Sequence, residues 1–140
     1  MNLAAETRLR VRCAETDQMG VVYYSNYLVW MEIGRVELCK TLGFNYRDME
    51  REDGTLLAVA ESHCRYHAPA RFDDEIIVAT RIERADPRLV TFAYEMRLAE
   101  DGRMLASGYT RHIIVNRAFE RTRLPQKYFG LFGLADPATR

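Results

Sequence analysis

Asp17 stands shortly ahead of Tyr24, where a polar loop leads into a run of apolar residues. An aspartate carboxylate is ionised near neutral pH unless burial opposes it, so Asp17 can act as a nucleophile or as a base towards water. A helix that begins near Tyr24 leaves its first backbone N–H groups unpaired, at the positive end of its dipole. Such groups stabilise charge that develops on a carbonyl oxygen. Together, a carboxylate and unpaired helix N–H groups are compatible with attack on a carbonyl carbon.

Asp17 also has a simpler interpretation. An aspartate just before a helix is commonly a turn or capping residue that hydrogen-bonds to nearby backbone. Residue type and position alone favour this structural role. The catalytic hypothesis therefore depends on the motif that surrounds Asp17.

The usual signatures of other chemistry are absent from the sequence. His63 and His67 lie four residues apart in a predicted strand, roughly 13 Å at ~3.3 Å per residue, which is too far to share one metal ion. The chain has no Cys-x-x-Cys pair and no His-Glu-x-x-His sequence, and it lacks the Gly-x-Ser-x-Gly, P-loop and Rossmann glycine patterns. We therefore expect no metal, no cofactor, no serine hydrolase and no nucleotide-binding fold.

The loop around Asp17 leads into one predicted helix at residues 25–42. Ser25 or Asn26 can serve as its N-cap, and Gly43 offers a left-handed stop. Apolar residues recur at spacings of three or four, and they surround the first half of the helix on nearly every side. Gly34 costs about 1 kcal/mol of helix propensity, which predicts close approach of another backbone. We expect a central helix that is covered on several sides.

Alternating and β-branched stretches predict five strands around this helix. The first strand precedes Asp17, and the others follow a polar stretch at 45–54 that can hold a helical turn. Around Tyr94 alternate residues are apolar, so one face of that strand should meet the helix. Consecutive hairpins predict an antiparallel meander, and a tail at 121–140 should pack one more short segment before it frays at Arg140. The predicted strands span 7–13, 56–67, 75–84, 89–99 and 103–116.

Length and composition limit the function classes. A chain of 140 residues, 48% hydrophobic and 29% charged, predicts a single domain over residues 1–140. The 20 Lys and Arg residues balance the 20 Asp and Glu residues, so no positive field would draw nucleic acid or an anionic membrane. Three widely spaced cysteines, with neither a signal peptide nor a long apolar run, favour reduced thiols in a cytoplasmic protein.

Two stretches of the chain resemble the hotdog-fold acyl-CoA thioesterases of the 4-hydroxybenzoyl-CoA thioesterase type. The first is AETDQMGVVYYSNY at residues 14–27. The family places an aspartate shortly before a glycine, then apolar and aromatic residues, then Asn-Tyr on the first turns of the long helix. The matching residues are Asp17, Gly20, Asn26 and Tyr27. The second stretch, RYHAPARFDD at 65–74, is similar to the family's strand-turn-strand, and the resemblance covers roughly residues 7–130.

This resemblance implies a hotdog fold, an α+β arrangement in which an antiparallel sheet wraps one long central helix. It also implies hydrolysis of an acyl-CoA thioester, with Asp17 and the backbone N–H of Tyr24 in the catalytic roles. A thiol with a pKa of about 8.5 leaves as thiolate without a strong general acid. A related subgroup, encoded beside the Tol-Pal system, usually has His where this chain has Tyr24, so a His-assisted variant is not expected.

Contacts to the substrate are expected from the residues that follow Asp17 and from one arginine. For Tyr27, core packing competes with a place in the acyl pocket, because apolar residues at helical spacing are usually core. Arg88 flanks the Asp86-Pro87 turn and can meet the phosphates of coenzyme A, although a solvated turn arginine is the commoner case. The predicted substrate-binding residues are Gly20, Val22, Tyr23, Tyr27 and Arg88.

A single sheet around one helix leaves edge strands and one sheet face uncovered, which favours pairing with another copy. The family implies a homodimer or homotetramer with two equivalent sites at a subunit junction. Two other functions stay open: a non-catalytic dimeric binder of acyl thioesters in which Asp17 is only a cap, and a hotdog enoyl-thioester hydratase. The hydratases usually carry an Asp-His pair, and no histidine stands near Asp17 in the sequence. The sequence indicates neither the acyl chain nor whether the carrier is coenzyme A or acyl carrier protein.

Overall fold

The computed structural model describes residues 3–135. The strands are β1 (Ala4–Arg10), β2 (Thr55–Tyr66), β3 (Glu75–Asp86), β4 (Leu89–Leu98) and β5 (Met104–Asn116), and the helices are α1 (Asn26–Leu42) and α2 (Tyr46–Asp53). All the strand pairings of the sheet are antiparallel, and the long helix packs on it, so the predicted α+β class is confirmed. The three cysteines are free thiols.

The order of the strands in the sheet is β1-β3-β4-β5-β2. Hairpins join β3 to β4 and β4 to β5 as predicted, but β2 pairs with β5 and not with β3. The predicted meander is therefore wrong at its first connection. The connection at residues 67–74 is longer than a tight hairpin loop, and β3 already has β1 and β4 on its two sides, so the chain crosses from one edge of the sheet towards the other.

Strand β1 lies earlier in the chain than the alternation indicates. The predicted strand covers 7–13, whereas the observed strand covers Ala4–Arg10. Its partner β3 begins at Glu75, which pairs with Arg10, and the regular ladder ends there. Val11 still exchanges backbone hydrogen bonds with Asp73 and Asp74, which lie in the turn before β3. A 3-10 turn at Cys13–Glu15 then carries the chain towards α1. The alternation itself continues through Val11, which is buried, so the pattern extends past the end of the strand.

Helix α1 agrees with its predicted bounds to within one residue. Gly43 follows it at φ 109°, and its N–H donates to the Cys39 and Lys40 carbonyls, which is the predicted left-handed stop. Ser25 occupies the N-cap position with helical φ and ψ, and its side chain makes no capping bond. The Asn26 side chain instead donates to the Glu15 carbonyl over 2.9 Å. The start of α1 is therefore tied to the loop that precedes it.

Helix α1 packs mainly on β1 and β3. Gly34 is buried there, and a Cβ at this position would overlap Thr80 Oγ1 and lie 2.8 Å from Val78 Cγ1. The close approach at Gly34 is therefore present, but the atoms that approach are side chains of β3 and not another backbone as predicted. The expectation of cover on several sides is wrong for one chain, because the sheet reaches only one side of the helix. The opposite side exposes the apolar side chains of Leu28, Val29 and Ile33.

The core lies between α1 and the sheet, with a contribution from the C-terminal segment. The predicted apolar face of β4 is buried throughout, at Val90, Phe92, Tyr94, Met96 and Leu98. The C-terminal segment packs as predicted, since the ring centroid of Phe44 lies 5.3 Å from that of Tyr128 and 5.4 Å from that of Phe132. The expected fraying at Arg140 lies outside the described residues.

Candidate active site

The loop between β1 and α1 folds back on itself before the helix begins. The Asp17 N–H donates to the Val21 carbonyl over 2.9 Å. Nearer the helix, the Tyr23 N–H donates to the Glu15 carbonyl, also over 2.9 Å. These backbone bonds join the aspartate at the tip of the loop to the residue before Tyr24. Backbone hydrogen bonds therefore hold the loop of Asp17 against the start of α1.

Asp17 begins a tight turn at the tip of this loop. The Gly20 N–H donates to the Asp17 carbonyl over 3.0 Å, and Gly20 has a φ of 78°, a left-handed conformation that favours glycine. The carboxylate oxygen Oδ1 accepts the Met19 N–H over 2.8 Å. Its other oxygen, Oδ2, accepts no hydrogen bond from residues 3–135. The structural role of Asp17 in a turn therefore leaves one carboxylate oxygen available for chemistry.

The first turn of α1 leaves two N–H groups unpaired. The Asn26 N–H donates to the Tyr23 carbonyl over 3.0 Å, and the Tyr27 N–H donates to the Tyr24 carbonyl over 3.3 Å. Within the part of the chain that the structure describes, the N–H groups of Tyr24 and Ser25 donate no hydrogen bond. They lie at the positive end of the helix dipole, where unpaired donors can stabilise an oxyanion.

A cavity of about 330 Å³ lies beside the start of α1. On its wall, Tyr66 Oη donates to the Tyr24 carbonyl over 3.1 Å. Tyr27 is almost fully buried, and its Oη accepts the Ala70 N–H over 3.3 Å. Burial raises the pKa of the Tyr27 phenol, so it is neutral at physiological pH. The residues that line the cavity are Val22, Tyr24, Tyr27, Tyr66, His67, Ala68 and Pro69.

Some of the predicted site residues meet at this cavity and others do not. Val22, Tyr24 and Tyr27 line it, so Tyr27 belongs both to the core and to the cavity wall. Tyr23 lies outside the wall and packs its ring against Tyr24, with the ring centroids 4.5 Å apart. Asp17 also lies outside the wall of the single chain. It is connected to the wall through its backbone bond to the residue before Val22.

Arg88 lies at a different place in the fold. It lines a second cavity, of about 410 Å³, together with Arg121 and Arg123. Arg88 follows β3, whereas Ala70, which contacts Tyr27, precedes it. The 12 residues of β3 span roughly 36 Å at ~3.3 Å per residue. The Arg88 side chain therefore does not reach the Tyr24 cavity of its own chain.

Sequence reasoning missed one wall of the cavity, at Tyr66–Pro69. These residues belong to the stretch 65–74 that carries the family resemblance, but the pattern assigns them no role in the site. The hydrogen bond from Tyr66 to Tyr24 joins residues 42 positions apart, so no local pattern in the sequence predicts it. Only the family resemblance of this stretch could have indicated a role in the site. His67 Nε2 lies 2.8 Å from Ser107 Oγ, and His67 makes no hydrogen bond to Asp17 within residues 3–135. The Asp-His pair of a hotdog hydratase is therefore not formed in this chain.

The described residues contain no candidate metal centre, since no three His, Cys, Asp or Glu side chains among them are grouped to hold an ion. The ring of His63 stacks on that of Tyr109 with centroids 5.3 Å apart, while His67 contacts Ser107. No helix in residues 3–135 is long and apolar enough to cross a membrane.

Comparison with known proteins identifies the family. The model of the Thioesterase-like superfamily matches residues 11–128. The chain belongs to this superfamily. The thioesterase is 38% identical over 113 residues to YneP of Bacillus subtilis (strain 168), provisionally named an acyl-CoA thioesterase, and the match covers 81% of this chain and 80% of YneP. The chain is also similar to a DHNA-CoA thioesterase from Staphylococcus aureus whose crystal structure is known. The two sequences are 31% identical, the TM-score is 0.84, and the match covers 91% of this chain and 84% of that one.

A more distant structure carries the same fold. A 4-hydroxybenzoyl-CoA thioesterase is 16% identical to this thioesterase with a TM-score of 0.82, and the match covers 91% of this chain and 97% of that one. The predicted hotdog fold and the predicted thioesterase class of enzyme are therefore confirmed. In this thioesterase, the loop that carries Asp17 is hydrogen-bonded through Glu15 to the start of the long helix, where the Tyr24 N–H donates no hydrogen bond within residues 3–135.

Proposed function

We propose that this thioesterase hydrolyses acyl-CoA thioesters, with Asp17 as nucleophile or general base and the Tyr24 N–H as oxyanion donor. The observation that carries the proposal is the unpaired Tyr24 N–H at the start of α1, in a residue on the wall of a cavity and joined to Asp17 by the folded loop. The names of the relatives YneP and the Staphylococcus aureus thioesterase support the acyl-CoA class of substrate.

Two routes are consistent with these groups. In the nucleophilic route the Asp17 carboxylate attacks the thioester carbonyl carbon, the C–S bond breaks, and coenzyme A leaves as a thiolate that takes a proton from water. Water then hydrolyses the mixed anhydride on Asp17, which releases the acid and restores the carboxylate. In the general-base route Asp17 takes a proton from the attacking water and returns it to the departing sulfur. In both routes the carbonyl oxygen becomes negative and accepts the Tyr24 N–H.

Asp17→Asn tests the role of the carboxylate. The amide keeps the shape of the side chain and an oxygen for the Met19 N–H, but it removes the negative charge. We expect kcat on a panel of acyl-CoA substrates, followed by thiol release, to fall by about 100-fold or more. Wild-type turnover would reject the role of Asp17. Tight acyl-CoA binding by the wild-type protein without thiol release from any member of the panel would instead indicate a binding protein.

Asp101→Asn is the matched control for this substitution. Asp101 Oδ1 accepts the Arg103 N–H over 2.9 Å, which is the same local contact that Asp17 makes with Met19, but it lies in the β4–β5 turn. It should keep wild-type kcat. A loss of turnover in both variants would show that any substitution of a turn aspartate disturbs this fold.

The two routes differ in where oxygen from water first appears. A single turnover in oxygen-18-labelled water leaves label in a peptide that contains Asp17 when water attacks the Asp17 carbonyl of the mixed anhydride. Label in the Asp17 peptide demonstrates the nucleophilic route, whereas label confined to the product acid excludes attack of water on the Asp17 carbonyl. Mass spectrometry of the digested enzyme and of the acid measures both.

We also propose that Arg88 contacts the phosphates of coenzyme A bound at the site of a second copy of the chain. Guanidinium groups bind phosphate oxygens in a bidentate manner, and Arg88 shares its cavity with Arg121 and Arg123. The length of β3 separates Arg88 from the Tyr24 cavity of its own chain. Arg88→Ala should raise KM severalfold for an acyl-CoA but leave KM unchanged for the acyl-N-acetylcysteamine analogue, which lacks the phosphates. Equal effects on the two substrates would contradict this role.

We propose that the enzyme works as a homodimer. Strand β2 is an edge strand of the described sheet, and its Val59 side chain is exposed. An unpaired strand edge and an apolar helix surface both favour association, and a twofold dimer can cover both. The exposed helix surface consists of Leu28, Val29 and Ile33 on α1.

A further inference from the structure

Glu15 is a buried acid two residues before Asp17, and the proposed hydrolysis does not use its carboxylate. The residue is only 4% exposed. Its Oε1 accepts the Arg12 N–H over 2.8 Å, and its Oε2 accepts the Trp30 Nε1–H over 2.9 Å. The Arg12 guanidinium lies 3.4 Å from Oε2. A buried carboxylate is costly unless its oxygens are hydrogen-bonded, so these donors account for its presence in the interior.

The same contacts keep Glu15 ionised. Burial raises the pKa of its carboxyl, but the hydrogen bonds from the Arg12 N–H and the Trp30 indole N–H, with the Arg12 guanidinium, hold the pKa below its ordinary value. The Arg12 side chain is 73% exposed, so solvent screens its charge. The backbone and indole N–H donors therefore define where the carboxylate lies.

The main chain of Glu15 makes a second connection to α1. Its carbonyl accepts the Tyr23 N–H and an Asn26 side-chain N–H, each over 2.9 Å. These two residues flank Tyr24 and Ser25, which carry the unpaired N–H groups. Glu15 thus holds the start of the helix through its carbonyl and the next turn through Trp30, which is fully buried.

We propose that Glu15 is a positioning residue that sets the location of Asp17 relative to the Tyr24 N–H. The inference rests on the proposed function, because it requires both groups to act on one carbonyl. Only Thr16 separates Glu15 from Asp17, so a shift of Glu15 moves the carboxylate, while the core holds α1 in place. A displacement of about 1 Å at a reacting group can cost about 100-fold in rate.

Glu15→Gln and Trp30→Phe each remove the hydrogen bond from the Trp30 indole N–H to the Glu15 carboxylate, the first by changing the acceptor and the second by removing the donor. A glutamine side chain offers one acceptor oxygen and one NH₂ group; with its oxygen on the Arg12 N–H, its NH₂ group faces the Trp30 N–H and cannot accept it, so the bond to Trp30 is lost. Phenylalanine at position 30 fills part of the indole volume but has no N–H. We expect each variant to lower kcat on an acyl-CoA by about 10- to 100-fold, with KM changed by less than about twofold. Because one bond is lost in both, the double variant should be no slower than the slower single variant.

Tyr128→Phe separates positioning from stability. It removes the hydrogen bond from Tyr128 Oη to the Asp53 carboxylate, far along the chain from the loop of Asp17, and it should lower the free energy of unfolding. Its kcat should equal that of the wild type. The free energy of unfolding of every variant is measured with urea, together with kcat and KM. These values show whether a fall in kcat results from lower stability or from displacement of the Asp17 loop.

Wild-type kcat in both Glu15→Gln and Trp30→Phe would overturn the positioning role. So would a loss of kcat in Tyr128→Phe equal to theirs at the same stability. If Glu15→Gln does not fold, Trp30→Phe decides alone. Asp17→Asn distinguishes the proposed function from the positioning role. If this variant keeps full turnover, the proposed function fails; if it loses turnover while Glu15→Gln and Trp30→Phe do not, only the positioning role fails.

Discussion

His112 is fully buried in β5, and both of its ring nitrogens have partners. Nδ1 lies 3.2 Å from the Leu57 carbonyl, which can only accept, so Nδ1 is assigned the proton. Nε2 then accepts the Thr110 hydroxyl over 2.8 Å. Burial lowers the pKa of His112 to about 4, and the charge of Arg35 on α1 acts in the same direction. The imidazole is therefore neutral in the folded enzyme at neutral pH.

This neutral histidine makes stability depend on pH between about 4 and 6.5. In that window the unfolded chain binds a proton at His112 and the folded chain does not, so the free energy of unfolding falls as pH is lowered from 6.5 towards 4. We expect this one group to contribute a loss of up to about 3 kcal/mol. Urea unfolding across this range should show a shallower pH dependence for His112→Gln than for the wild type. Identical slopes for the two proteins would contradict the assignment.

At the scale of secondary structure, α1 positions the proposed oxyanion donor, because its first turn carries the unpaired N–H groups and its middle packs against the sheet. Gly34 is the point of contact, where the helix backbone approaches the side chains of Val78 and Thr80 on β3. Both neighbours are β-branched and therefore stiff. The position of the Tyr24 N–H relative to the sheet thus depends on a residue ten positions further along the chain.

Gly34→Ala should destabilise the enzyme. The added Cβ overlaps Thr80 Oγ1, and overpacking of this kind costs about 1–3 kcal/mol, while alanine returns about 1 kcal/mol of helix propensity. We expect a net loss of up to about 2 kcal/mol in the free energy of unfolding, measured with urea. Gly130→Ala is the control, because a Cβ there meets no atom within 4 Å and its φ is not left-handed. A Gly34→Ala enzyme as stable as the Gly130→Ala enzyme would contradict the close approach.

At the scale of the whole molecule, one chain leaves a strand edge unpaired and an apolar helix surface exposed. Strand β2 has a neighbour on one side only, and the exposed side of α1 carries apolar residues. Arg88 lies too far along β3 to serve its own Tyr24 cavity. The proposed second copy would account for all three features, because it can cover the strand edge and the helix and bring its own Arg88 to the proposed junction.

Ile33→Asp tests this assembly. The charge would lie on the exposed apolar side of α1, where the residue is 39% exposed in one chain, and burying it against a second copy is costly. We expect sedimentation to show a dimer for the wild type and a monomer for the variant at micromolar concentration. Phe119→Asp places the same charge on an apolar residue that is 73% exposed in the turn after β5, and it should remain dimeric. A monomeric wild type, or an Ile33→Asp dimer as stable as the wild type, would refute the interface.

Features that depend on neighbouring residues could be predicted from the sequence. The bounds of α1 follow from its apolar spacing and from Gly43, and the hairpins β3–β4 and β4–β5 follow from short polar turns. The catalytic hypothesis for Asp17 and Tyr24 rests on a contiguous motif, and the structure adds the unpaired N–H and the turn at Gly20. These are local properties, since each involves residues within a few positions of one another.

The sequence by itself determined the family, the α+β class and the segment that carries Asp17 and Tyr24. Only the tertiary structure decided where β1 ends, that β2 pairs with β5, that Tyr66 and His67 share a cavity with Tyr24, and that Arg88 does not. It also revealed Glu15 as a buried ion bonded to Trp30. These features depend on pairing and burial between distant segments. The free energy of such pairing and burial depends on which surfaces pack together in the folded chain. The residue pattern along a single strand or helix does not specify those partners.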